Sequence, residues 1–271
     1  MYRMKLKSLR KAVRRTGLAT VALALAGSFA GCQNKTEPAP ETGSDYFPVA
    51  VGNFRVYAVT DTTWSPVGGV GANFTPSVPT ASTYQFKETI KEVFSDAAGQ
   101  PAYRMVRAKL LPPATTFRDD SVFVLSATAQ YVALNRNNTR TLELIFPVRE
   151  GRSWNFNAFN NNFNDTITAE TRRYSQVGQP YITAAIAGAP AQTYPNTVTT
   201  TNTGAATENS LIKRLGYQQV FAKGVGPVFR RRFYFVNYNY PDPASGNQVY
   251  PPKAYTSATS RTETLIDYGP R

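Results

Sequence analysis

The chain contains no histidine, and its only cysteine is Cys32. These absences remove much of the usual catalytic repertoire. Ser-His-Asp and Cys-His nucleophile systems need an imidazole, and common zinc centres draw on His and Cys. A lone cysteine in an exported chain also has no partner for an intramolecular disulfide. What remains for catalysis is a carboxylate pair, a Ser-Lys arrangement or an oxygen-ligated metal, and no motif points to any of them. The chain therefore reads as non-enzymatic, with no cofactor and no metal.

Negative charge is missing from the start of the chain. No acidic residue precedes Glu37, whereas Arg3, Lys5, Lys7, Arg10, Lys11, Arg14 and Arg15 come before an apolar run from Leu18 to Ala30. That run is shorter than the roughly 20 residues of a membrane-spanning helix and matches the apolar region of a secretory signal. Phe29-Ala30-Gly31-Cys32 resembles the lipobox of bacterial lipoproteins, in which a peptidase cuts before a cysteine that carries diacylglycerol. Arg14-Arg15 is not followed by the rest of a twin-arginine motif, so the general secretory route is expected. Residues 1–31 are expected to be a signal peptide and Cys32 a lipidated residue. Two or three acyl chains at about 0.8 kcal/mol per buried methylene make a stable anchor.

Removing residues 1–31 takes away seven Lys/Arg and no acid, so the whole-chain charge of +13 falls to +6. The remaining basicity suits anionic surfaces and is no sign of nucleic-acid binding. Residues 32–45 have no aliphatic side chain larger than that of Ala and read as a flexible tether. Stretched out, they reach roughly 45 Å.

From Tyr46 onward the apolar pattern has period two. Tyr84, Phe86, Ile90 and Phe94 share one parity, interrupted by Glu88 and Glu92, while Thr83, Gln85, Lys87, Thr89 and Lys91 take the other. Leu142, Leu144 and Phe146 alternate with Thr141, Glu143 and Ile145. Such runs predict strands with one buried face. Phe86, Ile90 and Val93 also have helical spacing, but their β-branched and aromatic neighbours favour strand. Ser95–Gln100 and Asn135–Asn138 fall between strand patterns and predict hairpin loops, hence an antiparallel meander. Trp64–Ser82, Gln176–Asn209 and Asn239–Lys253 read as long loops.

Phe47-Pro48-Val49-Ala50-Val51-Gly52 and Phe146-Pro147-Val148-Arg149-Glu150-Gly151 share the pattern Phe-Pro-Val-x-x-Gly, each followed by an aromatic, Phe54 or Trp154. Each predicts a Pro-initiated extended segment, a Gly turn and then a strand. The echo raises an origin in two halves.

The segment Tyr46 to Tyr57 resembles the first strand of a large group of mostly uncharacterised lipoproteins from Bacteroidota, with Arg55 where that group often has Trp. Phe146-Pro147-Val148 with Gly151 and Trp154, and Gly224-Val225-Gly226 before a final strand pair, extend the resemblance. It implies a cell-envelope address and a β-rich fold, and it carries over no catalytic residue.

Four local groupings could carry chemistry. Arg230, Arg231 and Arg232 sit among aromatics; on a strand, Arg230, Arg232 and Tyr234 share one face and Arg231 takes the other, an arrangement able to meet a phosphate, a sugar acid or a lipid headgroup. Solvated arginines that discourage edge pairing are the plainer reading. Asn155–Asp165 reads as a loop held by side-chain turns. Asp119 and Asp120 are adjacent, so a strand points them to opposite faces. Glu88 and Glu92 on one face would lie about 13 Å apart, too far for a glycosidase pair.

Residues 46–271 are thus expected to form one mainly antiparallel β domain, either a curved open sheet (half-barrel) or a β-sandwich. The expected role is a non-enzymatic binding or structural lipoprotein of the cell envelope, taking a hydrophobic or anionic ligand. A carboxylate-based glycan hydrolase and a scaffold subunit of an outer-membrane complex are the alternatives. The expected partners are the membrane, through the lipid, and an envelope protein, lipid or glycan. No strong acidic run follows Cys32, which favours the periplasmic face of the outer membrane.

Overall fold

In the computed structural model the described residues are 41–160, 170–186, 189–202 and 210–270. Cys32, the signal segment and most of the tether lie outside them, as do residues 161–165 of the Asn-rich stretch. Ordered contacts begin earlier than the expected boundary at residue 46. Ser44–Tyr46 forms a single 3-10 turn, Lys223 pairs with Glu41 and Asp45, and the Gly224 N–H donates to the Asp45 carbonyl.

Everything else is strand and connection. In chain order the strands are β1 Phe54–Trp64, β2 Pro79–Ser95, β3 Pro101–Leu110, β4 Arg118–Ala127, β5 Tyr131–Arg136, β6 Thr139–Ile145, β7 Ser153–Asn155, β8 Thr171–Ile182, β9 Thr193–Asn202, β10 Lys213–Ala222, β11 Gly226–Asn237, β12 Tyr240–Pro241, β13 Gln248–Val249 and β14 Tyr255–Gly269. Strands β12 and β13 form a separate two-stranded sheet; the others make one 12-stranded antiparallel sheet in the order β6-β5-β4-β3-β2-β1-β14-β11-β10-β9-β8-β7.

That sheet is nearly closed into a barrel-like curve, which resolves the alternatives in favour of a single curved sheet over a sandwich. Its bending has a local cause. Register shifts interrupt the ladders at Val56/Tyr57, Ile90/Glu92, Arg107/Ala108, Val132/Ala133 and Val220/Phe221. An extra residue on one strand bends it and increases its twist. The two ends of the sheet then meet: the Leu142 N–H donates to the Phe156 carbonyl at 2.9 Å, the Trp154 indole N–H to the Leu142 carbonyl at 2.9 Å, and the Tyr174 hydroxyl to the Ile145 carbonyl at 2.8 Å.

The Phe-Pro-Val-x-x-Gly echo marks real architecture. One copy leads into β1 and the meander β1 to β6; the other leads into β7 and the meander β7 to β11, completed by β14. The halves join where β1 pairs with β14 and where β6 meets β7. Gly52 and Gly151 both have positive φ, 92° and 75°, the left-handed turn conformation that a side chain would strain. Phe47 and Phe146 enter the same buried cluster, with Ile90, Leu125, Trp154 and Phe221.

The predicted hairpins are present. Asp96 Oδ1 accepts from the Ala98 and Gln100 N–H groups between β2 and β3, and Asn137 and Asn138, both at positive φ, turn β5 into β6. The three long-loop expectations need correction. Gln176–Asn209 holds the end of β8 and all of β9; the threonines of β9 are β-branched, and Thr197, Thr199 and Thr200 are buried. Pro79–Ser82 likewise opens β2, and Asn239–Lys253 holds the small β12–β13 hairpin. Along β1, consecutive residues Arg55 to Val59 are all buried, so the sheet is covered there on both faces.

Candidate functional site

The interior of the curve is not uniformly apolar. Between the cluster around Phe221 and a second cluster around Tyr57, Phe86 and Leu265 lies a band of arginines and carboxylates. The ladders put it there. Glu88 of β2 pairs with Arg55 of β1 and with Arg107 of β3, and directly opposed residues of an antiparallel pair point to the same side. Arg230 of β11 is opposed by Gln219 of β10 and by Glu263 of β14.

Glu88 is the hub of the band. Its side chain is 2% exposed and it accepts hydrogen bonds from Arg107 and from Arg230 at 3.0 and 3.2 Å, while Arg230 also donates to Glu263 at 2.9 Å. Burial alone would raise the Glu88 pKa, but the charges of Arg230 and then Arg107, with their hydrogen bonds, hold it well below the usual carboxylate range. Burial would lower the Arg230 pKa, and Glu88, Tyr57 and Glu263 drive it well above the ordinary value instead. Glu88 is therefore a fixed anion, unsuited to donating a proton. The β2 bulge after Ile90 turns Glu92 out to solvent and to Arg104, so Glu88 and Glu92 do not share a face as the sequence pattern implied. Asp119 and Asp120 are both exposed on β4.

Arginine stems and planes are packed on rings. The Arg107 guanidinium carbon lies 4.5 Å from the Phe86 centroid and 4.9 Å from that of Phe123, and Arg136 lies 4.8 Å from the same Phe123 ring. Arg172 of β8, 1% exposed, sits 4.2 Å from the Phe156 centroid and 3.2 Å from that of Tyr217. A flat, delocalised cation tolerates such sites where an ammonium would not. These side chains surround a cavity of about 150 Å³ whose wall includes Arg107, Arg136, Arg172, Arg230, Arg232, Tyr217 and Gln219, with Glu143 and Glu263.

Not every donor on these residues is used. Arg172 pairs with Glu170 through Nη2 at 2.5 Å, but its Nε and Nη1, the Nε of Arg136 and the Nε2 of Gln219 are buried without a hydrogen-bond partner. The Gln219 Oε1 accepts from the Tyr217 hydroxyl. Leaving a buried donor unpaired costs about 1–3 kcal/mol, more when it is charged. Arg232 and Arg261 are directly opposed across β11 and β14, a like-charge pairing that a sheet ordinarily avoids. Arg261 is compensated by Asp61 at 2.6 and 2.7 Å. Burial depresses the pKa of Arg172, and burial followed by Arg107 depresses that of Arg136. The chemistry on offer is reception of an anion.

Comparison with known proteins finds no matching family model, no matching curated protein and no matching solved structure.

The sequence-predicted candidates separate in the fold. Arg230 and Arg232 take the inner face, as their parity predicted, and both reach the cavity wall. Arg231 also lines the cavity; it and Arg232 are exposed while Arg230 is half-buried, and the Arg231 guanidinium carbon lies 5.5 Å from the Phe233 centroid. Tyr234, on the parity of Arg230, is opposed by Leu215 and Thr259 and lines an adjoining cavity of about 370 Å³ that shares Arg232 and Arg261. Cys32 lies outside the described residues. In the Asn-rich loop the Asn157 N–H donates to Asn155 Oδ1, a side-chain turn of the kind expected there, and Asn160 Oδ1 accepts from the Arg140 N–H of β6. Among the described residues, no group of three or more His, Cys, Asp or Glu is placed to hold a metal ion.

Sequence reasoning missed Arg107, Arg136, Arg172, Tyr217 and Gln219. The available signal was a charge interrupting an otherwise apolar parity, as Glu88 interrupts Tyr84, Phe86 and Ile90; the pairing that turns such interruptions into one cluster spans up to 142 residues of chain. The two motif segments also meet. Arg55 donates from Nε to the Val225 carbonyl at 2.7 Å and from Nη2 to the Pro48 carbonyl at 3.0 Å, tying the opening Phe-Pro-Val segment to the Gly-Val-Gly segment.

Proposed function

We propose that the protein is a lipid-anchored lipoprotein of the cell envelope with a non-enzymatic binding role, and that its β domain takes an anionic ligand inside the curve of the sheet. The observation that carries the second half of this reading is the surplus of guanidinium groups over carboxylates in the wall of the cavity, some of their donors being buried without a partner. A purely structural ion-pair network would satisfy its donors, because unpaired buried charge is strongly destabilising. An anion entering from solvent is met by the guanidinium groups that line the cavity. The lipid half rests on the basic n-region, the short apolar run and Cys32, with the periplasmic face of the outer membrane as the favoured location.

Two measurements test the reading. Thermal denaturation of the purified protein against a panel of phosphate, sulfate, carboxylate and sugar-acid salts at constant ionic strength should give a saturable rise in Tm with at least one class. A ligand at about one hundred times its Kd stabilises by about 2.7 kcal/mol. No shift with any class overturns anion binding. Fractionation of cells expressing Cys32→Ser should move the protein from membranes to the soluble fraction, and a processed Cys32→Ser form retained on membranes overturns the anchor.

A further inference from the structure

We infer that the group received by the inner cavity is a phosphate that still carries a proton, either inorganic hydrogen phosphate or a small phosphomonoester. This rests on the anion-binding reading above and narrows it. Three features point to that chemistry. The first is size: a cavity of about 150 Å³ suits an ion of a few heavy atoms and is well below the range of about 300–1,000 Å³ that encloses larger ligands.

The second is the direction of the donors. The guanidinium groups in the wall come from different strands: Arg107 on β3, Arg136 on β5, Arg172 on β8, Arg230 and Arg232 on β11, and Arg261 on β14. A planar carboxylate is met best by the parallel fork of one guanidinium. Donors spread around a centre match a tetrahedral oxyanion instead.

The third is that the same wall carries acceptors. Glu143 and Glu263 line the cavity with the arginines, Glu143 accepting from the Thr141 hydroxyl at 3.0 Å and Glu263 from Arg230. A fully deprotonated sulfate would face those carboxylates with nothing to donate. A phosphate, whose second ionisation in monoesters falls near pH 6, can present an O–H to them while its other oxygens take the guanidiniums.

Isothermal titration of the full chain with inorganic phosphate, methyl phosphate, sulfate and succinate, with chloride as the background salt, decides the matter. Phosphate should bind with sulfate weaker by about ten- to a hundred-fold, the discrimination expected when an anion with no proton to donate is set against the carboxylates of the wall. Methyl phosphate binding alongside phosphate identifies a site open to esters; phosphate alone identifies a site for the free ion. Glu143→Gln should narrow the phosphate-to-sulfate ratio by improving sulfate. Arg172→Met should weaken phosphate at least about ten-fold, with Arg172→Lys intermediate. Sulfate binding as tightly as phosphate to the unmodified protein, or succinate binding while phosphate does not, overturns the phosphate assignment and leaves anion binding standing. Failure of all four anions overturns both. If a variant does not fold, the comparison of the four anions on the unmodified chain still decides.

Discussion

Replacing Glu88 by Gln tests whether the charged band is the electrostatic keystone its geometry implies. The substitution keeps the size and removes one charge. It leaves Arg107 with no carboxylate in contact and Arg230 with Glu263 alone. Removing one partner from a buried ion pair costs about 3–5 kcal/mol, and Glu88 serves two guanidiniums, which places E88Q toward the upper end. For a domain of this size each 1 kcal/mol lowers Tm by about 2–4 °C, so a fall of roughly 6–20 °C is expected by calorimetry. The pair E88Q and Arg107→Met should be non-additive, because deleting the orphaned cation removes part of the penalty created by deleting the anion. A loss below about 1 kcal/mol for E88Q, with additive behaviour in the double variant, would refute the reasoning: those are the properties of a solvated surface pair.

Acid should weaken the protein through the same groups. Glu88 and Asp61 both have folded pKa values below their ordinary ones, Glu88 because Arg230 and Arg107 overcome burial, Asp61 because hydrogen bonds from Arg261 and Tyr84 overcome burial. Their stabilisation is complete above the unfolded values near pH 4, shrinks as pH falls below them and is gone once the folded values are passed; Tm measured from pH 7 to pH 3 should fall below about pH 4.5, and less steeply in E88Q. Gly226→Ala should cost about 2 kcal/mol or more by urea denaturation, since φ is +97° and the added carbon would come within 2.6 Å of Arg55 Nη2. Asn138→Val should cost about 1–2 kcal/mol because a β-branched residue resists the φ of 62° in the β5–β6 turn, whereas Asn138→Gly should be close to neutral; equal stability of the two variants would contradict the turn geometry.

Period-two alternation, the Asp96–Gln100 and Asn137–Asn138 turns and the scarcity of helical spacing made an antiparallel β domain legible from the chain alone, because strand parity and turn residues are local properties. The parity of Arg230 and Arg232 was legible for the same reason. Parity failed where an extra residue intervened, as at the bulge that separates Glu88 from Glu92, and composition failed for Gln176–Asn209, whose small and polar look concealed the end of β8 and a β9 rich in β-branched threonines.

By itself the sequence determined the alternation, the turns, the lack of imidazole and thiol chemistry, and the export-like start ending at Cys32. Only the tertiary structure decided that the sheet curls until β6 meets β7, and that Glu88, Arg107, Arg136, Arg172 and Arg230 share one interior. The reason is physical. Which face a residue takes depends on its neighbours in the chain, whereas which charges end up together depends on bulges, closure and register between strands far apart in sequence. The Coulomb energy of a guanidinium and a carboxylate counts only once both have left water.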